Sequence, residues 1–120
     1  MTAPHLSVIV PIYNEEGSID RLLERLFAVL DRLEYRFEII TVNDGSRDTS
    51  LALLRAAAEH RPELKIVNFR RNYGQTAAMM AGIDHASGDI IVAMNRQKVT
   101  STEDIRRIEA TLKPGQPVAF

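Results

Sequence analysis

Apolar residues fall into two alternating patterns along this chain. Leu6 to Ile12 is an apolar run without strict alternation, closed by Pro11, and predicts a strand buried on both faces. After the loop Tyr13-Asn14-Glu15-Glu16-Gly17 the period changes to helical. Ile19, Leu22, Leu23, Leu26, Phe27, Leu30 and Leu33 form one stripe, with Asn14 or Ser18 as the expected cap. A second strand, rich in β-branched and aromatic residues, begins at Phe37 and ends in the polar knot Asn43-Asp44-Gly45-Ser46. Gly45 permits a sharp turn there, and Asp48 or Ser46 is placed to cap the next helix. That helix runs from about Thr49 to His60 with Leu51, Leu54, Ala57 and Ala58 inward, and Pro62 lies just beyond it.

The alternation continues. Leu64 to Phe69 reads as a third strand and Arg70-Arg71-Asn72-Tyr73-Gly74 as a polar turn. A helix from Gln75 to Ala86 is built of small residues suited to close packing on a sheet; Gly88 ends it, and Met79 and Met80 read as core. Asp89 to Met94 is a fourth strand and Asn95 to Thr100 a loop. A fourth helix is expected near Ser101, behind a capping box of Thr100 and Glu103, with Ile105, Ile108 and Leu112 inward and Pro114-Gly115 as its stop. Pro117 to Phe120 resembles the start of a fifth strand. Strands alternating with helices imply an α/β fold: a mostly parallel sheet flanked by helices, with right-handed crossovers. The chain ends as an element begins, so residues 1–120 are expected to form a single domain that is part of a larger one.

Composition narrows this little. The 120 residues are 45% apolar and 26% charged with a net charge of −1, ordinary for a globular domain, so no general affinity for nucleic acid is expected. There is no cysteine, which removes disulfides and thiolate metal sites. No apolar run approaches a membrane span, and the first residues lack a signal-peptide pattern. His5, His60 and His85 sit at a terminus, a helix end and a helix surface, and none is read as a ligand or a catalyst.

The chemistry gathers at strand ends. In a parallel sheet, Tyr13, Asn14 and Glu15, Asn43 and Asp44, Arg70 to Gly74, and Asn95 to Lys98 all lie on the carboxyl edge, where open α/β sheets bind ligands. No Gly-x-Gly-x-x-Gly or Walker A sequence is present, so dinucleotide and P-loop readings fail. Asp44 can accept hydrogen bonds from a base or ribose, or it can cap a helix; Arg70 and Arg71 can meet phosphate, or they are a solvated pair. A receiver-like regulatory domain needs an acidic cluster closing strand one, where Pro11-Ile12 stands instead.

Val10-Pro11-Ile12-Tyr13-Asn14-Glu15-Glu16, Val42-Asn43-Asp44-Gly45-Ser46-x-Asp48, Arg71-Asn72-Tyr73-Gly74 with Ala78 and Gly82, and Ala86-Ser87-Gly88-Asp89 occur in order over residues 6–94. Together they resemble family 2 glycosyltransferases, and within them the dolichol-phosphate mannosyltransferase-like branch that includes bacterial polyprenyl-phosphate glycosyltransferases. The resemblance implies the GT-A fold and transfer of a sugar from a nucleotide donor to a lipid phosphate at the inner, cytoplasmic face of a membrane. It implies nucleotide contacts from Pro11, Tyr13, Asn14, Glu15, Asp44, Ser46, Arg70, Asn72 and Gly74. It also implies Mg²⁺ or Mn²⁺, held in the family by Asp-Ala-Asp-Leu-Gln after strand four. Here Asn95-Arg96-Gln97-Lys98-Val99 stands there. Asn95 and Gln97 offer only neutral amide oxygens, poor ligands for these hard cations, while Arg96 and Lys98 are candidates to contact phosphate themselves. Little transfer activity is therefore expected of this chain, and a non-catalytic nucleotide-binding or interaction module is the alternative. An exposed apolar patch beside strand four, with homo-oligomer formation, is a further expectation.

Overall fold

The computed structural model describes residues 4–94. They form β1 (Leu6–Ile12), α1 (Ile19–Leu30), β2 (Phe37–Asn43), α2 (Ser50–His60), β3 (Leu64–Asn68), α3 (Gln75–His85) and β4 (Ile90–Ala93). The strands make one sheet of order β3-β2-β1-β4, every neighbouring pair parallel. The order reverses beside β1, which puts a topological switch point between the carboxyl ends of β1 and β4. The expected fourth helix and fifth strand, with the altered loop at Asn95 to Lys98, lie outside the described residues.

All seven residues of β1 are buried, as a central strand covered on both faces requires. Its even-numbered residues, Leu6, Val8, Val10 and Ile12, face α1 and α2 and join Ile39 and Leu54 in the larger core cluster. Ile9, with Ile40 and Val42, faces α3 and packs on Ala78. Pro11 does not end the strand. The carbonyls of His5 and Ile9 accept from Ile90 of β4 and from Met94 just past its end, so odd-numbered backbone groups of β1 point that way. Pro11 therefore lacks its N–H on the side where pairing with β4 stops at Ile9, and no ladder bond is lost among the described residues.

The α1 stripe is buried as its spacing predicts from Ile19 to Leu30, while Leu33 lies beyond the helix and is half-buried. On α2, Leu53 rather than Leu51 joins Leu54, Ala57 and Ala58 against the larger cluster. Neither Asn14 nor Ser18 caps α1 through its side chain: Ser18 is the cap residue by position, but its Oγ donates to the Glu15 carbonyl at 3.3 Å.

Small residues do bring α3 close to the sheet. A Cβ on Gly82 would stand 2.3 Å from Ile9 Cγ2. Met80, read as core, is instead 61% exposed, because Ala78 and Gly82 already occupy the sheet-facing side of this helix. Gly88 does not end α3, which stops at His85 with Ala86 extended. It is required for another reason: a Cβ there would meet Ser7 N and Oγ at 2.8 Å.

That close pass belongs to a buried network at the amino edge of the sheet. Ser7 Oγ donates to Glu38 Oε2 at 2.6 Å, Ser87 N donates to the same oxygen at 2.7 Å, and Gly88 N donates to Ser7 Oγ at 2.9 Å. Glu38 is 5% exposed and Ser7 fully buried. The two are register partners on β1 and β2, so one carboxylate fixes both the central strand pair and the turn into β4.

Two stability measurements follow. Glu38→Ala should cost about 2–4 kcal/mol in urea unfolding, since it strands the buried Ser7 hydroxyl and Ser87 amide. Gly82→Ala should also destabilise, by about 1–3 kcal/mol. Overpacking against Ile9 exceeds the roughly 1 kcal/mol gained in helix propensity. A more stable Gly82→Ala variant would refute the close contact.

Candidate functional site

Three loops leave the carboxyl edge of the sheet: Tyr13–Ser18 after β1, Asp44–Thr49 after β2, and Phe69–Gly74 after β3. The structure joins all three. The second and third are joined by Asp44, whose side chain is fully buried. Its Oδ1 accepts from Tyr73 N at 2.7 Å; Oδ2 accepts from Gly74 N at 3.1 Å and Asn72 Nδ2 at 3.2 Å. Asn72 Nδ2 also reaches the Asp44 carbonyl at 3.3 Å, while Asp44 N donates to the Ile12 carbonyl of β1 at 2.8 Å. Asp44 thus caps neither α2 nor any other helix through its side chain. It clamps the loop that leads into α3.

Gly45 makes that clamp possible. Its φ is +70°, and a Cβ would lie 2.2 Å from the Arg71 carbonyl carbon. The two loops therefore pack backbone on backbone, where glycine alone fits.

The first and second loops close as a zipper. Asn14 N donates to Ser46 Oγ at 2.9 Å, and Asn14 Oδ1 accepts from Arg47 N at 2.8 Å. Asn14 adopts φ +50°, a conformation its short polar side chain tolerates. Glu15 N donates to Ser50 Oγ at 2.9 Å and Glu16 N to Asp48 Oδ2 at 3.2 Å. Glu16 Oε2 in return accepts from Thr49 N at 2.8 Å. Asp48 Oδ1 accepts from Ser50 N at 2.9 Å, so Asp48 does serve the start of α2, from a position before its cap residue, whereas Ser46 turns to the first loop. At the strand ends Asn43 Nδ2 donates to Asn68 Oδ1 at 2.9 Å.

The sequence-predicted residues distribute as follows. Pro11 is buried; Tyr13, Glu15, Ser46 and Gly74 are half-buried; Asn14, Arg70 and Asn72 are exposed. These residues and Asp44 all lie on or against the three joined loops. The outer rim is basic and aromatic: the Tyr73 ring, 55% exposed, stands edge-on to Phe69 with centroids 5.5 Å apart and has the Arg71 guanidinium 5.0 Å from its centre. Asn95, Arg96, Gln97 and Lys98 lie outside the described residues. Glu16, Ser50 and Asn68 were missed by sequence reasoning. A sign of Asn68 was available, since it closes strand three as Asn43 closes strand two; Ser50 and Glu16 read as ordinary helix-start and loop residues.

Two cavities, of about 320 and 430 Å³, open at the other end of the sheet around Arg36, Phe37 and Glu63. Their linings hold no comparable convergence of loops, so the carboxyl edge is singled out by its chemistry. Among the described residues no group of three or more His, Asp or Glu side chains is arranged to hold a metal ion, and no helix is long and apolar enough to cross a membrane.

Comparison with known proteins places this edge in context. The family described as Glycosyl transferase family 2 matches residues 7–116. The chain is 40% identical over 115 residues to the undecaprenyl-phosphate 4-deoxy-4-formamido-L-arabinose transferase of Pseudomonas fluorescens, covering 94% of this chain and 34% of that protein. It is 38% identical over 119 residues to the protein of the same name from Edwardsiella ictaluri, covering 98% and 36%. The chain therefore spans about a third of the length of these relatives. Among solved structures it is similar to the mannosyltransferase PcManGT from Pyrobaculum calidifontis in complex with GDP-Man and Mn²⁺ (TM-score 0.63, 24% identity, 87% of this chain and 32% of that one). It is also similar to S. aureus TarS 1–349 in complex with UDP (TM-score 0.63, 22% identity, 96% and 38%). These structures share the fold, an α/β unit with its helices on both faces of a parallel sheet.

Asp44→Ala should lower stability by about 3 kcal/mol or more in denaturant, since it removes the buried carboxylate that accepts from the part-buried Tyr73 and Gly74 amides and from Asn72; loss below about 1 kcal/mol would mean the clamp is dispensable. Asp48 gives a pH signature. Burial raises its pKa, but hydrogen bonds from the Ser50 hydroxyl and amide and the Glu16 amide outweigh that and hold it below the ordinary 3.8. A carboxylate with a depressed folded pKa contributes stability above its unfolded value and loses it as pH falls through the folded one. Asp48→Asn should therefore flatten the acid limb below about pH 4 and leave the slope near neutrality unchanged.

Proposed function

The chain belongs to glycosyl transferase family 2, and from that premise we propose that its carboxyl sheet edge holds the nucleoside diphosphate part of a sugar donor, for transfer to a polyprenyl phosphate. The observation that carries this reading is the locked set of three strand-end loops. On it, Pro11, Tyr13, Asn14 and Glu15 line the nucleoside side of the site, with Ser46 behind them. Asp44 acts chiefly by fixing Asn72, Tyr73 and Gly74, so the pocket wall is preorganised before ligand arrives. Arg70 on the outer rim supplies charge toward phosphate. The relatives named as undecaprenyl-phosphate transferases support the acceptor class, and the UDP and GDP-Man complexes of similar structures support a nucleotide donor.

A divalent cation is the point of departure. PcManGT was solved with Mn²⁺, and a dication would supply charge balance for the diphosphate and polarise the leaving group. The residues after β4 do not suit one: Asn95 and Gln97 are neutral, and Arg96 and Lys98 would repel it. Arg96 and Lys98 instead meet the diphosphate directly, giving binding without metal and transfer at a trace level at most. The same loop favours a second reading, a nucleotide-binding module that performs no transfer.

Calorimetry with UDP and GDP, in excess EDTA and then in Mn²⁺, tests this. Binding should persist in EDTA, weaken with added salt, and fall by about tenfold or more in Arg96→Ala/Lys98→Ala, about the worth of one charged hydrogen bond. Binding that requires Mn²⁺ would overturn the direct contact, and no binding under either condition would overturn the nucleotide site. Radiolabelled sugar transfer to a short polyprenyl phosphate separates the two readings.

A further inference from the structure

The carboxyl edge of the sheet sorts its charges by depth. Its acids are turned inward: Asp44 is fully buried against the Tyr73 and Gly74 amides, Glu15 and Asp48 are half-buried, and exposed Glu16 has Oε2 held by Thr49 N at 2.8 Å. Its cations are turned outward. Arg47, Arg70 and Arg71 are exposed, and among the described residues none of the three forms an ion pair. Arg61, at the opposite end of the sheet, is by contrast matched by Asp31 at 2.7 Å and Glu63 at 3.3 Å. The three arginines share one patch. A Cβ on Gly45 would touch the Arg71 backbone, and Arg47 lies two residues from Gly45, at most about 7 Å away. Tyr73 stands in the same patch. Asp44 Oδ1 fixes its amide at 2.7 Å, yet its ring is held out in solvent with the Arg71 guanidinium 5.0 Å from its centre. An aromatic ring with a polar tip is the residue type that settles at the boundary between headgroups and hydrocarbon.

We propose that this outer rim docks the domain, carboxyl edge first, on the surface of an anionic bilayer. Arg47, Arg70 and Arg71 meet headgroup phosphates, and Tyr73 enters the interface between them. Each such cation strengthens binding by about fivefold, and three in one patch by about a hundredfold. That suits a contact made and released, not a permanent anchor. A net charge of −1 speaks against nucleic acid as the partner, since domains that bind it carry a marked positive excess. The choice of a bilayer also rests on the acceptor class of the proposed function, a lipid phosphate. The contact is made by the edge, not by the side of the domain. Met80, the most exposed apolar side chain of α3, lies about 8 Å along the helix from its first residue, Gln75, and takes no part.

Cosedimentation of the full chain with vesicles, in the absence of nucleotide, tests this. The chain should bind vesicles of phosphatidylcholine with phosphatidylglycerol, ignore phosphatidylcholine alone, and be released by salt. Arg47→Ala/Arg71→Ala should weaken binding by about thirtyfold, while Arg47→Lys/Arg71→Lys, which keeps the charge, should retain it. Tyr73→Ser should cost several-fold and Met80→Asp nothing. Arg70 is left in place because on the proposed function it also faces the donor diphosphate. Equal binding to neutral vesicles, no binding to anionic ones, or an unchanged double alanine variant would overturn the docking surface. So would a loss in Met80→Asp as large as in Tyr73→Ser, or binding to single-stranded RNA as strong as to the anionic vesicles. Calorimetry with UDP, run without vesicles, reads the nucleotide site by itself, so failure of the docking and failure of that site are told apart.

Discussion

The buried carboxylate of Asp44 is the constraint on which the carboxyl edge of this domain depends. A parallel sheet presents its strand ends side by side but does nothing to order the loops that leave them. Here one acidic side chain, taken out of water, is satisfied by two backbone amides and a side-chain amide of the neighbouring loop. A buried charge so bonded cannot lose its partners cheaply. The loop after β3 is therefore held in one conformation, and with it the start of α3. Gly45 is the complementary requirement, because only a residue without a side chain lets the two loops approach closely enough for that carboxylate to reach.

The loop after β1 is held by a different device, a row of hydrogen bonds in which backbone amides of one loop meet side-chain oxygens of the other. The two devices share the segment Asp44–Ser50, so disturbance at either is felt at both. Glu38 does the same work at the opposite end of the sheet, tying β1, β2 and the turn into β4. Both carboxylates stand on the α3 face of β2, one near each end of the strand. That leaves the strand interior between them to Ile40 and Val42, which pack on α3's small residues. The polar groups at the ends fix position, and the apolar middle supplies most of the driving force.

Much of this was legible in the sequence. The change from continuous apolar runs to helical spacing marked the described elements other than α3, which its small residues marked, and the alternation of types implied the parallel sheet. The family was legible too, from short motifs at the strand ends. What could not be read were facts of register and backbone. Glu38 and Ser7 are far apart in sequence and meet only because their strands pair in one alignment. The partners of Asp44 include two backbone amides, which carry no letter of their own, so the clamp it forms on the neighbouring loop could not be read from the motif. Gly88 looks like a helix stop because glycine often is one; its role is a close pass against Ser7. Met80 was assigned to the core by hydrophobicity, but Gly82 and Ala78 take the close positions on α3 and turn it outward.

Charge balance links these structural points to the proposed chemistry. A nucleoside diphosphate brings negative charge to an edge where the carboxyl group of Asp44 is already bonded and buried. A metal ion would meet that charge with a compact dication that serves both binding and departure of the leaving group. Arginine and lysine side chains serve binding nearly as well, through direct hydrogen bonds to phosphate oxygens. They polarise a leaving oxygen less, since each carries one charge spread over a flexible, hydrated group. On the proposed reading, two amides and two cations in that loop keep the sign of the field that a diphosphate requires without supplying a Lewis acid, so binding and transfer, joined in a metal-dependent site, would be separable.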